Sequence, residues 1–417
     1  MAPSFAVHAR RAAATLAAAA VLGTAAAPAA VADGSPSPAV PGLFGSGDPK
    51  FDGVFRQSLA LLAQDATGVD PAPRAVAWLA GQQCADGGFA AFRADTGTAC
   101  DAKAGEFTDA TGAAVQALAA VGGGHRDKEV DKGLGWLKAH QNEDGGWGMT
   151  PGSPSDANST STAVGAFAAA RQDPAKVTAK GGKSPYDALL TLQAGCDKKE
   201  DERGGFAPND LASAAAALGV LGKGYLVAPA AKDDAKPVKA LECADDESAR
   251  PKDAPASAEA VAAHLARKLE ANGGFLKSSM PGAPEGPDTA TTADAALALA
   301  AGGHTEAAGK TVKWLQADKS GTAAWAKGNP GRLAKIILAV HAAGGDPRSF
   351  AGTDFVQALN ETGPTPESSE SPQKKDEKKD KKKDGDNSFG VWWFVGVFFV
   401  ASVGVGFLLS NRKKNQL

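Results

Sequence analysis

The sequence predicts an all-α fold: a closed α/α toroid of about six helical hairpins, with a transmembrane helix added at the C-terminus. Three observations carry this. A motif with Gly-Gly before an aromatic residue recurs at steps of about 50 to 70 residues, a period that suits one helical hairpin and its loops. An Ala-rich segment with few charges follows each copy, as a helix buried nearly all round requires. A stretch of 21 residues without a charge, 389–409, lies near the C-terminus.

Composition sets the outer bounds. The chain has 417 residues, a net charge of -3 and 43% hydrophobic residues. That excludes a wholly disordered chain and an all-membrane protein. A near-neutral balance leaves no electrostatic footprint for nucleic acid.

The first element reads as an export signal over 1–32. His8, Arg10 and Arg11 make a cationic start, the stretch 12–22 is apolar, and Ala30-Val31-Ala32 offers small residues for cleavage. Residues 33–50 read as a flexible linker. The toroid spans 51–360. Its inner helices are expected at 53–63, 109–121, 157–170, 210–221, 288–301 and 332–343. Its outer helices are expected at 74–82, 128–140, 186–193, 257–270, 306–317 and 353–359.

Residues 361–388 form a charged tether whose interleaved Lys, Asp and Glu cannot bury a core. The span 389–409 is roughly 30 Å long as a helix, one bilayer core. Trp392 and Trp393 lie at one edge, and Arg412, Lys413 and Lys414 in the tail 410–417 mark a cytoplasmic side. The expected location is the extracellular face of the membrane, with a single pass and a cytoplasmic C-terminus. Leu359-Asn360-Glu361-Thr362-Gly363 looks like a cell-wall sorting signal, but it has Asn where the usual pattern has Pro and a long spacer before the span.

All four Cys lie in the exported body, where disulfides persist. Cys84 and Cys100 bracket one loop. Cys196 and Cys243 bracket a helix and a charged insertion. Those two pairs are expected among three connectivities. No CxxC or HxxxH spacing suggests a metal, so no metal site is expected.

The repeats can be read one by one. The first has Trp78-Leu79, Gln82-Gln83 and Gly87-Gly88-Phe89. The second has Trp136-Leu137, Gln141 and Gly145-Gly146-Trp147. The third has Leu192-Gln193 and Gly204-Gly205-Phe206, the fourth Gly273-Gly274-Phe275, and a degenerate fifth Trp314-Leu315-Gln316 and Trp325. This unit resembles the repeat of the prenyltransferase and squalene-oxidase/squalene–hopene cyclase superfamily, over about 51–359. The resemblance implies the toroid and says less about activity, since the fold hosts many functions.

The family's chemistry does not carry over. The cyclases that protonate an alkene use an Asp-x-Asp-Asp motif, and Asp245-Asp246 lacks the leading Asp. The zinc of protein prenyltransferases needs Asp-x-Cys, which does not occur. Gln82-Gln83-Cys84 is not the Gly-Cys-Gly-Glu-Gln of complement-type thioester proteins. The expectation therefore leans away from an enzyme.

Six inner helices at about 8–10 Å spacing leave a hole that Ala side chains cannot fill. The sequence thus predicts a methyl-walled tunnel for a small-molecule or lipidic ligand. Thr111, Thr160, Ser161, Ser213, Thr292 and Asp294 are its candidate lining, with Asp294 the best candidate acid. No cofactor is identified. The recurring Asp109, Asp156, Asp210 and Asp288 read as helix caps rather than as an acid rim for a cation or carbocation. The motif aromatics read as staples between hairpins, and His125 and His304 as exposed turn residues. Three functions follow: a surface receptor serving a membrane transporter, a divergent cyclase or lyase, or an adhesion module. Transcobalamin-type carriers share this toroid, so a corrinoid is one ligand by analogy.

Overall fold

The structure is a computed structural model that describes residues 40–100, 105–230, 235–243, 248–278 and 286–367. These all belong to one compact unit, Met1–Ser369. The expected signal, most of the tether and the 389–409 span lie outside the described residues. Among the described residues no helix is long and apolar enough to cross a membrane.

The described body is all-helical. Its helices in chain order are α1 (Gly53–Ala66), α2 (Pro73–Gly81), α3 (Thr108–Val121), α4 (Asp127–Ala139), α5 (Ala157–Ala169), α6 (Pro185–Leu192), α7 (Asp210–Val220), α8 (Ala254–Ala271), α9 (Thr289–Ala301), α10 (Thr305–Gln316), α11 (Thr322–Ala326), α12 (Pro330–Ala342) and α13 (Phe355–Asn360). Helices α1, α3, α5, α7, α9 and α12 each pack on the next, and α12 packs back on α1. The remaining helices except α11 lie outside this inner ring, each against one or two of its members. The six-and-six arrangement expected from the repeats is therefore what the chain forms. Only the short α11 was not foreseen.

The recurrence of the motif along the chain has a structural cause in each residue. Gln83 donates to the Gly87 carbonyl (3.1 Å) and the Glu129 carbonyl (2.7 Å). Gln141 does the same to Gly145 (2.8 Å) and Val177 (3.1 Å), and Gln193 to Gly204 (2.8 Å) and Ser257 (3.1 Å). Each glutamine so ties its own turn to the following hairpin. The first glycine lies on the backbone of the next outer helix. At Gly145, φ is +91° and a Cβ would collide with the Ser184 carbonyl, so only glycine fits. Phe89, Trp147 and Phe206 are buried between the layers, as expected of staples.

The fourth unit is shifted by one residue. Gly274 has the backbone of the first glycine elsewhere (φ +107°) and packs on Trp314. Leu276, not Phe275, is the fully buried residue of that turn. Phe275 instead lies against the Trp314 ring at 5.1 Å.

The N-terminal end corrects a second expectation. Residues from Gly42 are not linker: Leu43 and Phe44 are buried. Gly42 has φ +93° and a Cβ there would meet the Arg74 carbonyl, which is the motif turn again. The Phe44 amide donates to Gln57 Oε1 on α1 (2.8 Å). The outer helix of this unit is α13, from the far end of the chain. Gly45 N donates to the Thr362 carbonyl (2.7 Å), and a Cβ on Gly363 would strike the Phe44 ring. The ring is thus closed by one unit assembled from both ends. Leu359-Asn360-Glu361-Thr362-Gly363 is part of that closure, with Leu359 buried.

Both expected disulfides form, Cys84–Cys100 and Cys196–Cys243. They suit an oxidising compartment.

Candidate functional site

Each inner helix presents three positions to the ring axis, at spacing i, i+4 and i+7. The first row is Phe55, Asp109, Asn158, Leu211, Ala290 and Gly331. All six are at least partly open, while the residues around them on their helices are mostly buried. Four residues down the sequence, about one turn, come Leu59, Ala113, Thr162, Ala215, Asp294 and Lys335. Below these lie Leu62, Gln116, Gly165, Leu218, Leu297 and Leu338.

The bore does not run through. After α7 the chain turns back across the C-terminal ends of the inner helices and inserts Tyr225 on the axis. Its amide donates to Gln116 Oε1 (2.9 Å), its hydroxyl meets Thr162 Oγ1 (3.1 Å), and its ring lies edge-on to Phe55 at 6.0 Å. A Cβ at Gly224 would press on the Gln116 side-chain amide that holds the strap. Lys223 Nζ fastens the same strap to the Ala301 carbonyl (2.6 Å), and Ala230 N bonds the Ala342 carbonyl (3.0 Å). The expected methyl-walled tunnel is therefore a cup with a tyrosine floor. The physical reason is the loop, which fills axial space that alanines leave vacant.

Tyr225 covers the half of the middle row nearest α5. Ala215, Asp294 and Lys335 stay partly open on the other side. A pocket of about 690 Å³ lies there, at the N-terminal ends of α1, α9 and α12, with Phe55, Leu59, Trp325, Arg332 and Lys335 among its walls. A second pocket of about 780 Å³ lies beyond the tyrosine at the strapped end, between Leu62, Gln116, Ala169, Lys223 and Leu226.

The cup's charges are unequally partnered. Asp294 holds Lys335 Nζ through both oxygens, at 2.7 and 2.5 Å. Asp52 holds Arg56 at 3.0 Å. Arg332 lies 5.0 Å from the Trp325 ring centre and donates to the Trp325 carbonyl. Asp109 faces no cation among the described residues. Oδ2 accepts one bond, from Asn158 (3.0 Å), and the buried Oδ1 has no geometrically sound partner, with the Ser159 hydroxyl beside it. Burial, reinforced by the Asp156 carboxylate, pushes the Asp109 carboxyl up to about 6. Burial also pushes the Tyr225 phenol well above its ordinary range, with Asp109 and Asp294 adding to the shift. Both acids therefore act on the floor of the cup.

The six residues expected to line the bore divide. Asp294 is there, engaged by Lys335. The other five spend their hydroxyls on backbone. Thr111 Oγ1 accepts from the Phe89 amide, Thr160 Oγ1 from Trp147, Ser213 Oγ from Phe206 and Thr292 Oγ1 from Leu276, all within 2.9–3.0 Å. Ser161 Oγ donates to the Ala157 carbonyl (2.6 Å) and packs on Gly219. These groups join the two helical layers and lie off the axis.

The Asp caps divide too. Asp156 and Asp288 accept from Ser159 N and Thr291 N as caps do. Asn209 caps α7 instead, which leaves Asp210 for His264 (3.1 Å). Asp109 lies inside the first turn of α3, after Phe107 at the cap position, and so is free for the bore. His125 is exposed as expected, but His304 is buried, with Nδ1 at 3.1 Å from the Lys236 carbonyl. The strap that covers His304 could not be placed from sequence.

The sequence reading places neither Tyr225 nor Asn158 in the bore, and it sets Asp109 as a helix cap ahead of an acid rim. Aligning the units on Thr111, Thr160, Ser213 and Thr292 puts Asp109, Asn158, Leu211 and Ala290 at one register, two residues upstream. The signal for Tyr225 was weak: one of only 2 Tyr, in a Gly-Lys-Gly-Tyr run.

Residues 104–179, which hold α3, α4 and α5, match the family model described as the squalene-hopene cyclase C-terminal domain. Over that stretch the repeats are similar to those of the squalene–hopene cyclase-like/prenyltransferase superfamily. A solved structure described as "Glycosidase Wild Type" is similar at 14% identity and a TM-score of 0.40, covering 75% of this chain and 92% of that one. A likeness that distant has no bearing on activity. No curated protein matches the chain.

Proposed function

We propose, from a chain built of squalene–hopene cyclase-like repeats, an exported and membrane-anchored toroid that receives a small or lipidic ligand in its cup without turning it over. The observation that carries this is the blind bore. One mouth is strapped and floored by Tyr225, the other is open, and unlike side chains converge between them. An apolar ligand body gains about 0.8 kcal/mol per CH₂ buried there. The two disulfides fit an extracellular setting. The charge-free 389–409 stretch supplies the anchor, and a membrane transporter is the partner to which such a receptor would deliver. Native mass spectrometry on the chain purified from its own host tests the reading. A copurifying mass that is lost in Ala215→Trp, which fills the open side, is the expected result. An empty protein under all host conditions would overturn it.

A catalytic reading has one specific observation in its favour, the Asp109 carboxyl raised to about 6. An acid so placed could exchange a proton at neutral pH, in a divergent cyclase or lyase. Turnover of a terpenoid or glycan abolished by Asp109→Asn, with Asp294→Asn as the comparison, would establish it over simple binding.

A further inference from the structure

Resting on the cup as a ligand site, we propose that its occupant is a small organic ammonium, with the cation against Asp109 and the carbon body on the apolar part of the mouth.

The charge inventory points there. Around the cup, Lys335 is matched by Asp294, Arg56 by Asp52, and Arg332 rests on Trp325. Around Asp109 the balance differs. The helices packed on α3 offer it Asn158, Ser159 and the Asp156 carboxylate, and the floor offers the neutral Tyr225 hydroxyl nearby. No described cation faces it. A carboxylate can accept at about four lone-pair positions, and here only Asn158 donates with sound geometry. The residue keeps some exposure, and by its register that surface is on the bore. A ligand bringing N⁺–H donors would supply what the fold withholds, and charge-assisted bonds of this kind are the strong ones. An anionic ligand would meet Asp109 and Asp156 together and be repelled.

The apolar half fits the rest of such a molecule. Phe55 and Leu211 share the rim row with Asp109, and Leu211 is 43% exposed. Phe51 and Met149 stand exposed on the loops at the same mouth, 88% and 55%, where the Met149 carbonyl takes the Thr108 amide at the start of α3. Phe55 and Tyr225 add ring faces near the cation. The pH consequence follows. The ligand selects the ionised carboxylate, so binding weakens as pH falls through about 6.

The test is calorimetric titration of the full-length chain with n-hexylammonium, n-hexanol and hexanoate. At pH 7.5, hexylammonium is expected to bind at least tenfold more tightly than the other two. Its affinity should fall about tenfold by pH 5, and Asp109→Asn should remove both the preference and the pH dependence. Tighter binding of hexanoate or hexanol would overturn the ammonium assignment while leaving the cup as a ligand site. No heat with any of the three would overturn both. If Asp109→Asn does not fold, seen as a lost melting transition, the wild-type pH profile decides: an affinity flat between pH 5 and 7.5 sinks the assignment.

Discussion

The two sides of the inner helices obey opposite rules. On the side facing the outer layer the same device recurs: a hydroxyl one turn into the helix takes the amide of the motif turn, at Thr111, Thr160, Ser213 and Thr292. On the side facing the axis, equivalent positions hold Asp109, Asn158, Leu211 and Ala290: an acid, an amide and two aliphatic residues of different size. Repetition marks where the ring is held together. Its loss marks where the proposed ligand would be recognised. The motif that identifies the repeats is accordingly a poor guide to what the protein does.

Four substitutions sharpen this contrast. Trp147 is fully buried between layers, with its indole N–H on the Leu137 carbonyl (2.7 Å). Trp147→Ala should cost about 3–5 kcal/mol, read as a drop in the urea midpoint. Thr160→Val removes the acceptor for the Trp147 amide and should cost about 1–3 kcal/mol by the same measurement. On the axis the sign reverses. A carboxyl whose folded value, about 6, exceeds the ordinary 3.8 holds its proton more tightly in the folded chain. The folded state is therefore favoured most below about pH 4 and loses that advantage as pH rises to about 6. Asp109→Asn should raise the melting temperature at pH 7.5, by on the order of 1 kcal/mol in stability, and the gain should vanish at pH 4. Leu211→Ser, at an open rim position, should change stability by no more than about 0.5 kcal/mol while weakening binding of an apolar probe. A stabilised Thr160→Val or a strongly destabilised Leu211→Ser would break the comparison.

The same contrast explains what could be read in advance. Helix positions followed from periodicity, and all six inner helices fell where apolar runs placed them, because burial of one face is a local pattern. The hydroxyls were visible but misassigned to the bore. A Thr in a buried helix has the same neighbours in sequence whether it faces a layer or an axis, and only the turn arriving from another segment tells them apart. Asp109 resembles Asp156 and Asp288, which do cap their helices; α3 starts one residue earlier, at Thr108, and the shift turns a cap into a bore group.

By itself the amino-acid order determined the all-α class, the count of hairpins and the charge-free segment that reads as an anchor. Each depends on spacing along the chain or on composition within a short window. Only the tertiary structure decided that Gly42–Phe44 completes the last unit with α13, that Tyr225 floors the bore, and which carboxylates find cations. These depend on groups far apart in sequence being brought to one place. The gain from such contacts comes from packing into space that the local pattern leaves vacant, and no local pattern records that vacancy.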